Sequence, residues 1–315
     1  MKAAVALALA VFCGVAAQVA PRAPAPSSPE GDAKPAERPV LLNTGKPIQV
    51  GFACTNDDIQ WAGLSCSDEE PCPVYLEISA AEPVGNKIFA AGNFHSSSAT
   101  LYSIVLASDD AGKTWREAHE RLRGATLDRI QFVDFENGWI SGQVVQPLPQ
   151  DPFLLITSDG GSTWRQRPLF SETRGGSILQ FWFTSRNSGS LVLDRGQAGD
   201  LGRYELYESP NGGETWMLRE TNERPIRLKR SAAANPDWRI RADAASRAFS
   251  IERRQTDRWV PLSAFAVAVE ACKPAAVEAP APPAVEETPP GVEKAPPVPA
   301  PAAPRRPPTL KRPPA

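Results

Sequence analysis

Three short segments of the sequence carry polar side chains at the same spacing. Each follows the pattern [Ser/Thr]-x-[Asp/Asn]-x-Gly-x-Thr-Trp. The pattern residues are Ser108, Asp110, Gly112, Thr114 and Trp115 in the first segment, Thr157, Asp159, Gly161, Thr163 and Trp164 in the second, and Ser209, Asn211, Gly213, Thr215 and Trp216 in the third. Gathered in one cavity, Asp110, Asp159 and Asn211 could form an active site. In separate turns, each could instead accept hydrogen bonds from backbone N–H groups a few residues further along.

We interpret each segment as a hairpin turn. Its glycine permits a positive φ that would be strained for other residues, and its threonine begins the returning strand. Its tryptophan brings a large apolar area to a packing surface. Because these roles are architectural, we predict no catalytic, metal-binding or cofactor-binding residues in the three segments.

The spacing of the segments predicts the fold class. Trp115 and Trp164 are 49 residues apart, and Trp164 and Trp216 are 52 residues apart. Three short strand-like runs precede each segment and a fourth follows it. A period near 50 with four strands per repeat is typical of β-propeller blades. We therefore expect an all-β chain, a β-propeller of about four or five four-stranded antiparallel blades, over residues 41–272.

The expected blade boundaries are residues 73–121, 122–170, 171–221 and 222–266. A weaker repeat of the pattern, without the glycine, ends at Trp259 in the last of these. The run Ile48–Ala53 precedes the first blade, and it could pair with the last blade and close the ring.

The three segments resemble the Asp-box, or BNR, repeat over about residues 73–221, and we call them the first, second and third box. That family includes sialidases, reelin-like secreted proteins and the photosystem II stability and assembly factor group. The resemblance implies a propeller whose boxes lie at the blade periphery, away from the central site. Likeness to the assembly factors implies an exported, non-enzymatic propeller that assists membrane-protein assembly.

Likeness to the sialidases implies an arginine triad, a tyrosine–glutamate nucleophile pair, an acid aspartate and a Phe/Tyr-Arg-Ile-Pro motif before the first box. Here Glu37-Arg38-Pro39-Val40 precedes the first box and Arg224-Pro225-Ile226 follows the third. The tyrosines are Tyr75, Tyr102, Tyr204 and Tyr207. A sialidase centre therefore cannot be transferred residue by residue.

The two ends of the chain differ from the body in composition. Met1-Lys2 and a run of 15 apolar residues (3–17) are typical of a secretory signal peptide, which we expect to be cleaved after Ala17. Residues 18–40 form a proline-rich linker. Residues 273–315 contain 15 of the 33 prolines and are expected to be disordered. We predict an exported protein, periplasmic or secreted, with no transmembrane segment in the mature chain.

Cysteine usage agrees with export. Cys13 lies in the predicted signal peptide and would be removed with it. The remaining cysteines are Cys54, Cys66, Cys72 and Cys272, an even number that allows three disulfide pairings. A Cys54–Cys272 bond would tie the two ends of the body together, and Cys66–Cys72 would close a small loop. The rival zinc site lacks a CxxC pair or a nearby histidine.

Charge excludes some classes of partner. The net charge is −2, which argues against a strongly basic nucleic-acid binder, and two histidines are too few for a multi-histidine metal centre. Residues 223–258 carry a local excess of +5, which indicates either a cationic binding face or a solvated blade edge. The tail ends with basic residues at positions 305, 306, 311 and 312.

We therefore expect a non-enzymatic, exported scaffold that binds a protein or an envelope polymer, without cofactors. The alternatives are a sialidase-like glycoside hydrolase and a structural module that its basic tail tethers to the envelope. The sequence does not indicate an oligomeric state.

Overall fold

The computed structural model describes residues 39–145, 148–197, 199, 202–228, 235–268 and 271–274. Within these ranges the chain forms seventeen β-strands and one short α-helix, so the expectation of a nearly all-β protein is confirmed. The helix is too short to cross a bilayer. The predicted signal peptide, nearly all of the proline-rich linker and nearly all of the tail lie outside the described residues.

The strands form four sheets. Sheet 1 contains β1 (Leu41–Leu42), β3 (Tyr75–Val84), β4 (Lys87–His95), β5 (Thr100–Ser108) and β6 (Thr114–Glu117). Sheet 2 contains β7 (Ala125–Phe132), β8 (Gly138–Val144), β9 (Gln150–Thr157) and β10 (Arg165–Pro168). Sheet 3 contains β11 (Ser177–Phe183), β12 (Gly189–Asp194), β13 (Tyr204–Ser209) and β14 (Met217–Asn222). Sheet 4 contains β2 (Ile48–Gly51), β15 (Trp238–Asp243), β16 (Ala248–Gln255) and β17 (Arg258–Ala268), and the helix α1 spans Asn56–Trp61.

The sheets pack face to face through three buried hydrophobic clusters. Phe89 of sheet 1 packs with Trp164 of sheet 2, and Trp139 of sheet 2 packs with Phe183 of sheet 3. Phe265 belongs to the cluster that joins sheet 4 to sheet 1. Among the described residues, none of the clusters joins sheet 3 to sheet 4, so the stacking order is 4–1–2–3.

Sheets 1 to 3 repeat one local design. Each is an antiparallel meander in chain order, and its first strand carries a β-bulge at the same point, at Ser79, Asp128 and Leu179. A bulge adds one residue to a strand and bends it. The three first strands, β3, β7 and β11, therefore bend alike where they lie beside one another.

Buried amide side chains bond to the first strands of the neighbouring sheets. Asn93 of β4 accepts from the N–H of Leu127 at 2.8 Å and donates to the Leu127 carbonyl at 3.3 Å. Gln131 of β7 accepts from the N–H of Phe183 at 2.8 Å and donates to its carbonyl at 2.7 Å. These bonds satisfy backbone groups that a bulge or sheet edge would otherwise bury unpaired.

Sheet 4 departs from this design. Asn235, just before β15, donates to Glu82 near the end of β3 at 3.0 Å, whereas Asp243 at the end of β15 lines the same cavity as Tyr75 at the start of β3. β15 therefore runs in the opposite direction to β3. The weaker repeat that ends at Trp259 lies on the hairpin between β16 and β17, the second and third strands, and so is not a fourth box.

The N-terminal segment completes two sheets. β1 pairs with β6 of sheet 1, and β2 adds to β17 of sheet 4 as a parallel strand, with Ile48 opposite Phe265. Pairing of the run Ile48–Ala53 with the last sheet was expected from the sequence. Between these strands, Asn43 donates to the carbonyls of Gly112 and Leu262, both at 2.8 Å, which joins the edges of sheets 1 and 4.

Two disulfide bonds lie beside this segment. They join Cys54 to Cys272, 218 residues apart, and Cys66 to Cys72. Cys72 and Cys272 also exchange two backbone hydrogen bonds of 2.9 Å, so all four cysteines meet where the body of the chain begins and ends.

Candidate functional site

The first box forms a closed network of hydrogen bonds around Asp110. Its carboxylate accepts from the backbone N–H of Thr114 at 2.8 Å, the Thr114 hydroxyl at 2.7 Å, and the hydroxyl of Ser108 at 2.9 Å. The Thr114 backbone N–H and hydroxyl, ahead of the Ser108 and Lys113 donors, lower the pKa of Asp110 to about 2. The carboxylate is therefore ionised and saturated by its own turn.

The other two boxes repeat this network. Asp159 accepts from the N–H and hydroxyl of Thr163 at 2.9 and 2.6 Å. Burial alone would raise the pKa of Asp159, but these hydrogen bonds outweigh it and the pKa is lowered. Asn211 accepts from the N–H of Thr215 at 3.0 Å and donates to its hydroxyl at 3.0 Å.

Each box packs against the preceding sheet in the stack. A Cβ on Gly161 would lie 2.3 Å from the Phe89 ring of sheet 1, and one on Gly213 would lie 3.2 Å from Leu154 of sheet 2. Both glycines also have positive φ, +75° and +92°. The backbone conformation favours glycine at both positions, and the close approach to Phe89 leaves no room for a Cβ at Gly161.

The first box makes the equivalent contact with sheet 4. The Trp115 indole N–H donates to Ser263 Oγ at 3.0 Å, and a Cβ on Gly112 would lie 3.1 Å from Leu262. The three boxes thus lie on three different sheets, each at an intersheet joint, and their polar side chains are not brought together. A functional site has to be sought elsewhere.

A cleft lies between the bulged strands β3, β7 and β11, and we call it the axial cleft. Its volume is about 240 Å³. Its lining residues are Ser79, Ala80, Ala81, Glu82, Asp128, Arg129, Ile130, Gln131, Phe181 and Trp182. None of these is a box residue. The cleft lies where the first strands of sheets 1, 2 and 3 meet.

Two carboxyl groups of the axial cleft are less acidic than usual. Burial raises the pKa of Glu82 to about 7, against a smaller opposing effect of the hydrogen bond from Asn235. Burial also raises the pKa of Asp128, and the hydrogen bond from Gln143 at 2.8 Å and the charge of Arg129 offset only part of that. Near neutral pH, Glu82 is therefore poised between its donor and acceptor forms.

A second ionic cluster lies outside the axial cleft, between sheets 2 and 3. Tyr207 donates to Glu205 at 2.8 Å, and Glu205 lies 3.5 Å from Arg174 and 3.8 Å from Arg195. Burial, followed by the bond to Glu205, raises the pKa of Tyr207 to about 12. The phenol is therefore protonated. Tyr207 is also only 4% exposed, whereas a tyrosine nucleophile has to be activated and accessible to its substrate.

The residues of the axial cleft were not predicted from the sequence. One signal was present: Ser79 and Asp128 are polar residues at equivalent places in the apolar first strand of consecutive repeats. Aligning the repeats from their first strand, rather than from the box, brings these two positions together.

No protein-family model matches the sequence, and a search of curated proteins gives no match. Among solved structures, YCF48 bound to a D1 peptide has a TM-score of 0.36 and 19% identity, over 61% of this chain and 56% of that chain. YCF48 from Cyanidioschyzon merolae has a TM-score of 0.30 and 20% identity, over 61% and 56%. The α-L-arabinofuranosidase Arb93A from Fusarium graminearum has a TM-score of 0.32 and 13% identity, over 60% and 57%. The chain spans just over half the length of these proteins.

Proposed function

We propose that the protein is a non-enzymatic, exported scaffold that binds an extended segment of another protein in the axial cleft. The observation that carries this proposal is the presence of an exposed arginine, Arg129, and a half-buried tryptophan, Trp182, in the lining of the same cleft. Arginine and tryptophan are the side chains that most often dominate protein–protein binding energy.

The polar groups of the axial cleft suit a polypeptide backbone. Glu82, with its pKa near 7, can accept from a backbone N–H when ionised and donate to a carbonyl when protonated. Gln131 is held in place by its two bonds to Phe183, so that wall of the cleft is fixed before a partner arrives. Fixed polar walls reduce the entropy cost of binding.

Export is part of the proposal. Two disulfides suit an oxidising compartment, because such bonds persist outside the reducing cytosol.

The test uses the full chain, purified from intact envelopes with its bound proteins, which are quantified by mass spectrometry and then titrated in purified form. Arg129→Glu and Trp182→Ala should each weaken partner binding at least about tenfold, as expected for anchor residues. Arg258→Glu and Trp259→Ala, the same residue types on sheet 4, are the matched controls and should retain affinity. Equal affinity in all four variants would exclude the axial cleft as the binding site.

A parallel variant addresses the tether alternative. Replacing Arg305, Arg306, Lys311 and Arg312 by glutamine should leave binding in solution unchanged if the axial cleft recognises the partner. Loss of envelope retention with the partner still bound would assign those residues a separate anchoring role.

One observation favours glycoside hydrolysis as the second candidate. Glu82 has the raised pKa of a general acid and shares the axial cleft with a second carboxylate, Asp128. This candidate predicts hydrolysis of aryl glycosides, including sialosides, that Glu82→Gln abolishes. The scaffold proposal predicts that neither the wild type nor the variant turns these substrates over.

A further inference from the structure

A larger cavity of about 470 Å³ lies between sheet 4 and the start of β3, and we call it the hairpin cavity. It is lined by Gln49, Val74, Tyr75, Leu76, His95, Ala242, Asp243, Ala244, Ser246, Arg247, Ala248, Phe249, Ala266 and Val267. Its volume falls in the range of about 300–1,000 Å³ that is usual for small-molecule sites. It shares no residue with the axial cleft or with the boxes.

Most of the lining is apolar. Val74 and Leu76 are buried, and four of the other lining residues are alanines. Small side chains between two packed sheets leave space that the hydrocarbon part of a ligand can fill. Binding is then favoured because the ligand and the cavity wall both bury apolar surface.

The charged groups around the hairpin cavity are not equivalent. Asp243 accepts from the hydroxyl of Ser246 at 2.8 Å and from the N–H of Ala245 at 3.0 Å, which together lower its pKa. The carboxylate of Asp243 therefore accepts hydrogen bonds within the turn between β15 and β16 and stabilises that turn. His95 stacks on Tyr75 and its Nδ1 lies 3.0 Å from the Ser96 carbonyl.

Arg247 is the cation at the mouth of this cavity. Arg239 and Arg241 on β15 are paired with Glu252, at 2.6 and 3.6 Å, whereas no described carboxylate forms an ion pair with Arg247. Arg247 also has a φ of +49°, in a left-handed turn position that glycine or asparagine would fill with less strain. The chain thus places a guanidinium beside the apolar lining at some conformational cost.

We propose that the hairpin cavity binds an amphiphilic monocarboxylate, whose hydrocarbon part packs on Val74, Leu76 and the alanines and whose carboxylate pairs with Arg247. A planar guanidinium can bond a carboxylate through two parallel N–H donors. The apolar lining accounts for the hydrocarbon part, and Arg247, which has no ion pair among the described residues, accounts for the charge. This site is independent of the proposed scaffold function, because it uses none of the same residues.

Isothermal titration of the full chain with decanoate, decanol and decylamine tests the proposal. Decanoate should bind saturably with one molecule per chain, and decanol should bind roughly ten- to a hundredfold more weakly, as expected for loss of a charge-assisted hydrogen bond. Decylamine should bind no better than decanol. Equal binding of all three probes, or no saturable binding of decanoate, would overturn the proposal.

Two variants localise the site. Arg247→Gly removes the cation while keeping a residue suited to the positive φ, so it should weaken decanoate to the level of decanol and leave decanol unchanged. Ala244 is an exposed residue of the lining, so Ala244→Leu should narrow the cavity and weaken the binding of both decanoate and decanol. Thr256→Gly is the control, because Thr256 also has a positive φ of 56° but lies on the other hairpin of sheet 4. If Arg247→Gly retains full preference for decanoate, the assignment of the carboxylate partner is wrong.

Discussion

Trp139 of sheet 2 lies flat against Phe183 of sheet 3, with ring centroids 3.8 Å apart and ring planes 5° apart. The same indole donates its N–H to the Gly212 carbonyl of the third box at 2.8 Å. One side chain therefore joins a sheet both to the core of its neighbour and to that neighbour's box. The corresponding donor one sheet earlier is Lys87, whose Nζ bonds the Gly160 carbonyl of the second box at 2.9 Å.

Replacing Trp139 by alanine should destabilise the protein by about 3–5 kcal/mol, because the ring is fully buried and would leave a cavity. The free energy of unfolding in urea provides the measurement. Met217→Ala, at an exposed position of β14, is the control and should cost little. A loss below about 1 kcal/mol for Trp139→Ala would contradict the role of this joint.

Phenylalanine at positions 139 and 164 should separate packing from hydrogen bonding. Both tryptophans are buried, but the Trp139 N–H has a partner, whereas the Trp164 N–H has none among the described residues. Trp139→Phe leaves the Gly212 carbonyl without its donor and should cost about 1–3 kcal/mol more than Trp164→Phe, which removes an unsatisfied donor. Trp164→Ala should still cost about 3–5 kcal/mol. Equal costs for the two phenylalanine variants would show that the hydrogen bond contributes nothing.

The first box should make stability sensitive to acid. The folded-state pKa of Asp110 is about 2 and its ordinary value is 3.8, so its contribution is complete above about pH 5 and is lost as the pH falls towards 2. Asp110→Asn copies the third box, where Asn211 makes the same turn, and should fold while removing this part of the acid dependence. The urea midpoint, measured at intervals between pH 2 and 6, tests it. An unchanged acid limb in the variant would assign the dependence to other carboxylates.

Glu82 should act in the opposite direction. Its folded-state pKa of about 7 lies above the ordinary 4.5, so the folded state binds the proton more tightly and stability falls as the pH rises from about 4.5 to 7. Glu82→Gln keeps an acceptor for Asn235 without the buried charge, and at pH 8 it should be more stable than the wild type by about 2–3 kcal/mol. At pH 4 the two should be nearly equal. The comparison is made by unfolding at both pH values, and an equal difference at each would mean that ionisation of Glu82 is not the cause.

The two disulfides should differ in what they contribute. Cys54–Cys272 closes a loop of 218 residues and Cys66–Cys72 one of 6. In the chain-entropy treatment, removing the first by a double alanine substitution should cost about 5 kcal/mol and removing the second about 2 kcal/mol. Thermal unfolding of the two double variants tests the order. If the short loop contributes more, local structure around it outweighs chain entropy.

The features that could be predicted from the sequence are those that short-range hydrogen bonds determine. A box is closed by bonds that span four residues, as between Asp110 and Thr114, so its pattern can be read from a short window. The strands flanking each box follow from the same repeat. These two features were sufficient for the all-β class, whereas the place of β1 (Leu41–Leu42) at the edge of sheet 1 lies outside the repeat.

The axial cleft and the direction of sheet 4 depend on distant contacts. Asn235 meets Glu82 across 153 residues, and neither residue belongs to a recognisable motif. The Trp259 repeat retained a tryptophan and a serine but had lost the glycine that lets a box approach its neighbouring sheet, as Gly161 approaches Phe89. Without that close approach, the pattern no longer specifies a turn between third and fourth strands.

The pairing of Ile48 with Phe265 has a consequence for biosynthesis. Because β2 takes its parallel place only beside β17, the segment made early must wait until nearly the whole body has emerged before it can dock. Contacts between residues so far apart in sequence slow folding. A chain interrupted before Phe265 would leave β2 without its partner strand, so completion of sheet 4 depends on the last strand of the body.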